Sequence, residues 1–317
     1  MIAAGGALCC CTANRGGGAS EGLNGSTGGS NGRLASTVYC HFYQEEENIV
    51  APSLAEALRE LALANRIVAN EGVLDAFGHV SMRHPDNPNR YFLSRSRAPQ
   101  LVRPEDLIEY DLDSQPIKPP SVSQYSERVI HGEIYKARPD VMSVCHHHSP
   151  AFMPLLATRT DYMPVFHLGA VGGIKPPYWD QHDEFGDTNM LVVKPEEGAS
   201  LARALGQHWM VLMNRHGVTA VGTTVGDCVF RTIYSDRNAA YQVQSMTIGD
   251  RIDTLSPGET EISSKIGTST TGLARAWEYW SMRVENAGGG LPPAKAAARA
   301  KPAAKKAAPV KSKKKRR

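Results

Sequence analysis

The sequence predicts an α/β or α+β body, and three observations carry that expectation. Helical and strand-like patterns interleave along the chain instead of segregating into blocks. Hydrophobic residues are 41% and charged residues 21% of 317 positions, enough to bury the core of one large or two small domains. The longest apolar stretches fall far short of the roughly 20 residues that a membrane helix needs, so no membrane partner is expected.

The body opens with a helix. Ser53 and Glu56 form a capping box, Leu54, Leu58, Leu61, Ala62 and Ile67 recur at helical spacing, and Asn70-Glu71-Gly72 stops the run. Short strands are expected at His79–Arg83 and Tyr91–Ser94. A second helix is expected from Tyr125 to Ala137, stopped by Arg138-Pro139-Asp140. Val141–His148 reads as a strand, Ser200–His208 as a helix, Trp209–Asn214 and Val218–Val221 as strands, and Val225–Met246 as a long helix.

Both ends differ from this body in composition. Residues 1–47 form a Gly/Ser-rich leader expected to be disordered, with ten glycines by Gly32. Residues 48–250 are the expected main folded domain, 251–285 a C-terminal extension, and 286–317 a Lys/Ala/Pro tail. The net charge of +3 hides a contrast: residues 294–317 carry eleven Lys/Arg and no acid, leaving 24 basic against 32 acidic side chains before them. Only the tail resembles a polyanion binder. It lacks interleaved aromatics, so nucleic acid is a weak expectation beside a solvated extension. The six cysteines (Cys9, Cys10, Cys11, Cys40, Cys145, Cys228) match neither a disulfide framework nor a zinc pattern, which points to a reducing, cytoplasmic setting.

The chemistry concentrates at Cys145-His146-His147-His148-Ser149. On a strand, His146 and His148 share a face about 7 Å apart and can hold one metal ion between them, while His147 points away. A polar strand end with solvated histidines would read the same way. Two further features bear on the choice. His216-Gly217 follows the apolar strand Trp209–Met213, where glycine permits a tight turn and the imidazole can enter a cleft; Glu127 starts a helix 19 residues before His146. Three neutral imidazoles and one carboxylate suit Zn²⁺, Mn²⁺ or Fe²⁺.

The order Ser126-Glu127-x-x-x-His131, Arg138-Pro139-Asp140, His146-x-His148-Ser149, His216-Gly217 resembles the class II aldolase/adducin family over about residues 50–250. The resemblance implies a three-layer α/β/α sandwich around a mixed, mostly antiparallel sheet, a homotetramer, and one divalent metal held by Glu127, His146, His148 and His216. Glu127 would double as acid/base. His131, one turn on from Glu127, would orient it.

The chain departs from the sugar-phosphate aldolases of that family at three places. Gly78-His79-Val80-Ser81 replaces their Gly-Asn-x-Ser. Ser94-Arg95-Ser96-Arg97-Ala98-Pro99 replaces a small-residue loop whose backbone N–H groups cradle phosphate. Leu168 stands where fuculose-phosphate aldolase has a proton-donating tyrosine. With His131-Gly132-Glu133-Ile134-Tyr135, these segments resemble a branch that decarboxylates ortho-hydroxy acids in aromatic breakdown, the 3,4-dihydroxyphthalate and 2-hydroxy-3-carboxymuconic semialdehyde decarboxylases among them. The expected function is a metal-dependent lyase acting on a small carboxylic acid. Its catalytic residues would be Glu127 and His79, and Ser94, Arg95, Ser96 and His167 would bind the substrate. A sugar-phosphate aldolase or epimerase, and a non-catalytic adducin-like scaffold, are the alternatives.

Overall fold

A computed structural model describes residues 53–292. The expectations for the leader, and for the tail beyond residue 292, lie outside those residues. The first helix, α1 (Leu54–Asn70), has the capping box in both directions: Ser53 Oγ accepts from the Glu56 N–H, and Glu56 takes the Ser53 N–H. Gly72 then adopts φ +81°, the left-handed conformation that ends the helix without a Cβ clash.

Seven strands make one sheet: β1 (His79–Arg83), β2 (Arg90–Ser94), β3 (Leu107–Asp111), β4 (Ser143–His147), β5 (Tyr178–Trp179), β6 (Met210–Met213) and β7 (Gly217–Gly222). Their order is β3-β2-β1-β4-β7-β6-β5. Only β5 and β6 run parallel, so the sheet is mixed and mostly antiparallel. The short strands β3 and β5 were not expected from the sequence. β5 has two residues, too few for any alternation to register.

Helices cover both faces. On one, α1, α6 (Val225–Ile248) and α8 (Thr270–Asn286) bury Leu61, Ile67, Val229, Ile233 and Trp280 against Val80, Met82 and Cys145. On the other, α2 (Arg128–Ala137) and α5 (Pro195–Leu205) bury Ile130, Ile134 and Leu201 against Leu93, Val144, Val211 and Val221. Strand alternation divides β1 and β4 between the two layers, and this is the three-layer α/β/α sandwich. Three shorter helices, α3 (Met153–Thr158), α4 (Gln181–Phe185) and α7 (Pro257–Gly267), complete the described residues.

Two expectations need correction. The second helix begins at Arg128, not Tyr125, and α5 runs over 195–205 instead of 200–208, with Pro195 in its first turn, where a missing N–H costs nothing. Residues 251–285 hold α7 and most of α8, and Ala276, Trp280 and Val284 belong to the core. The chain also stays attached past residue 286, where Arg66 donates to the Gly289 carbonyl at 2.6 Å and Arg59 to that of Pro292 at 2.8 Å.

Candidate metal centre

The site forms where β1 and β4 meet the start of α2. His79 and His146 are directly paired across the two strands, and both face the α2 layer. His146 is fully buried, which removes the reading of a solvated strand end. β4 ends at His147, so His148 lies beyond the strand and is not held a full repeat away. Its Nε2 turns back to 3.1 Å from that of His146, and the ring centroids are 4.9 Å apart.

His216 comes from the turn between β6 and β7. The left-handed residue of that turn is Arg215 (φ 57°), not Gly217 as the sequence suggested. Asp180 holds the turn from below, accepting from Asn214 Nδ2 at 2.5 Å and from Arg215 at 3.1 Å. Gly217 serves close approach instead: a Cβ there would lie 2.3 Å from the His147 carbonyl oxygen and 2.9 Å from His148 Cδ2.

Glu127 immediately precedes α2. Its side chain caps no N–H of its own helix; Oε1 accepts the Val192 N–H at 3.1 Å. Its oxygens lie 3.4 Å from His216 Nε2 and 3.8 Å from His146 Nε2. One ligand atom from each of Glu127, His146, His148 and His216 thus falls within 4.8 Å of all the others.

The donor set fits a divalent ion. Two nitrogens on one tetrahedral zinc stand about 3.3 Å apart, given Zn–N bonds of about 2.0–2.1 Å. The Nε2 separation of 3.1 Å is close to that. Thr219 Oγ1 donates to Met213 Sδ, so it accepts from His146 Nδ1–H and leaves the His146 Nε2 lone pair free. Burial, then the neighbouring histidines, pushes His146 well below the ordinary imidazole range and His216 down to about 4; burial also lowers His148. All three imidazoles are therefore neutral, the state that ligates. Burial lifts the Glu127 carboxyl to about 7, against the Val192 N–H, and a cation beside it would restore the carboxylate.

His79 sits beside this cluster, its ring 5.5 Å from that of His146 and 4.4 Å from that of Tyr125. Burial, followed by the proximity of His148 and His216, drops it to about 3. His131 does not touch Glu127 as expected from its helical spacing. Its two ring nitrogens are taken by Ser81 Oγ at 2.6 Å and His79 Nδ1 at 2.7 Å, so it holds His79. His147 packs on Phe152 on the opposite face, consistent with a structural residue.

The expected substrate residues are only partly presented. Arg95 Nε is paired with Asp106 at 2.7 Å, and Arg97 shares that carboxylate at 3.1 Å. Ser94 is fully buried, while Ser96 is exposed and donates its backbone N–H to Ser123. His167 and Leu168 line a cavity of about 430 Å³ between α6, α7 and α8, to which none of the four ligands contributes. Sequence reasoning missed Tyr125, Thr219 and Asp180, which act through folded contacts and carry no local motif.

The model of the Class II Aldolase and Adducin N-terminal domain matches residues 59–243. The chain is 33% identical over 243 residues to Decarboxylase tropJ of Talaromyces stipitatus, covering 70% of this chain and 91% of that protein. It is 26% identical over 250 residues to the 3,4-dihydroxyphthalate decarboxylase of Arthrobacter keyseri, covering 74% and 96%. Among solved structures, the L-fuculose 1-phosphate aldolase of Glaciozyma antarctica superposes with a TM-score of 0.59 at 23% identity, over 74% of this chain and 91% of that one. That likeness shows a shared fold.

Proposed function

This chain belongs to the class II aldolase and adducin family, and on that premise we propose that it is a metal-dependent carbon–carbon lyase that decarboxylates an ortho-hydroxy aromatic or enolic carboxylic acid. The observation that carries the proposal is His79, an imidazole set directly across from the ligand His146 in the paired strands. Relatives named as decarboxylases support the same reading.

Glu127, His146, His148 and His216 would hold the ion, and their mixed nitrogen and oxygen donors suit zinc, manganese or iron. When bound, it supplies a Lewis acid that absorbs negative charge developing on the substrate. The bond between the substrate carbon and its carboxylate breaks, CO₂ departs, and the electron pair stays on carbon until a proton arrives. His79 would deliver that proton, and Glu127 would take or return one from the substrate hydroxyl. The buried walls around His79 and His146 keep water from the carbanion. Arg95 keeps its two Nη groups outside the pair with Asp106 and would steer a second substrate carboxylate through them.

The test is an assay of the full chain loaded with Zn²⁺, Mn²⁺ or Fe²⁺ against ortho-hydroxy aromatic acids and sugar phosphates, with CO₂ trapped and aldehydes measured. CO₂ release from an ortho-hydroxy acid is expected. Aldehyde from a sugar phosphate without CO₂ would make it an aldolase, and failure to take up any of the metals would favour the scaffold.

A further inference from the structure

Behind His79 lies a row of buried polar groups that the four ligands do not use. Residues two apart on β1 and four apart on α2 are each about 6–7 Å from one another, so the two elements present matching rows. His79 and Ser81 from β1 thereby interleave with His131 and Tyr135 from α2. The contacts run Tyr135 OH to Ser81 Oγ at 2.7 Å, Ser81 Oγ to His131 Nδ1 at 2.6 Å, and His131 Nε2 to His79 Nδ1 at 2.7 Å. All four side chains are at most 2% exposed.

Heavy-atom distances leave the direction of these bonds open, but the supply of acceptors decides it. Ser81 Oγ is the only hydrogen-bond partner of the Tyr135 hydroxyl among the described residues. The cation over the Tyr135 ring, Arg83 at 4.7 Å, accepts nothing, and its own donors go to backbone carbonyls. A buried hydroxyl proton left unpaired is costly, so Tyr135 donates to Ser81. Ser81, having accepted, donates to His131 Nδ1. His131 must then carry its proton on Nε2 and donate to His79 Nδ1. One proton remains for His79, and its place is Nε2.

We propose that Tyr135 is a positioning residue that, through Ser81 and His131, fixes His79 as the Nε2–H tautomer, a neutral N–H donor at the edge of the metal cluster. The consequence for catalysis rests on the function proposed above; the tautomer does not. A donor held this way meets the substrate carbon with its N–H already on the free nitrogen and in one fixed orientation, because Nδ1 is committed as acceptor to His131.

The experiment is long-range ¹H–¹⁵N correlation on full-length, Zn²⁺-loaded protein labelled with ¹⁵N-histidine, with His79 identified from the spectrum of His79→Asn. His131 and His79 should both be protonated on Nε2, by a ratio above about 10:1 over Nδ1. Tyr135→Phe removes the terminal donor, and the ratio should fall about tenfold. Ser81→Ala, which cuts the chain in the middle, should release it too and serves if the first variant does not fold. A proton on Nδ1 of either ring in the parent, or ratios unmoved in both variants, would overturn the proposal. The same samples separate it from the functional reading. Nε2–H tautomers in a protein that releases CO₂ from no acid would sink the function and leave the tautomer assignment standing; Nδ1–H tautomers in an active decarboxylase would do the reverse.

Discussion

Gly217→Ala asks whether backbone packing, and not ligand identity alone, holds the Glu127, His146, His148 and His216 cluster together. The added methyl would sit 2.3 Å from the His147 carbonyl oxygen, where Cβ contacts under 3.0 Å are essentially never seen. The oxygen belongs to β4, paired with β7 at His147 and Val218, so neither side is a flexible side chain that can swing away. The strands must part by several tenths of an ångström. Overpacking of this kind costs about 1–3 kcal/mol. Taking about 2 kcal/mol, and about 2–4 °C per kcal/mol for a domain of this size, the melting temperature should fall by about 4–8 °C. The methyl also presses on the His148 ring at 2.9 Å, so zinc affinity should drop as it does when a ligand loses its support, about 10–100-fold. Thermal denaturation of the metal-free protein and chelator competition for Zn²⁺ read the two effects separately. A variant that melts with the parent and binds zinc as tightly would refute the argument.

His148→Ala removes a ligand outright and should abolish both bound metal and activity; elemental analysis showing full metal content would remove His148 from the ligand set. His79→Asn should keep its metal and lower CO₂ release by about 10²–10⁴-fold, the usual contribution of one general acid, and parental turnover would exclude His79 from the proton transfer. The metal-free protein should weaken in acid. His79, His147 and His216 are held below the ordinary imidazole value of about 6.5, so their contribution is complete above that pH and is lost as pH falls toward 3–4. Urea midpoints should therefore decline steadily below pH 6.5. A midpoint at pH 5 equal to that at pH 7 would contradict the burial of these rings as neutral groups.

Much of the centre was legible in the residues themselves. Ser53 and Glu56 announce α1 because a capping box is local chemistry, complete within four positions. Glu127, His146, His148 and His216 stand out because few side chain types bind metal and their order along the chain is distinctive. Strand alternation separates His147 from its neighbours for the same local reason. What the sequence could not carry is anything decided between elements distant along the chain. Helical spacing aligned His131 with Glu127, yet β1 supplied nearer partners in Ser81 and His79. Charge and fork geometry marked Arg95 for a carboxylate, and Asp106 reached its Nε first, through folding, from eleven residues away. Gly217 suggested a turn, and the tertiary structure gave the left-handed conformation to Arg215 because Asp180 anchors that turn. The direction of the Tyr135 chain belongs here as well. It depends on which buried atoms have no second partner, a property of the assembled core and of no segment within it.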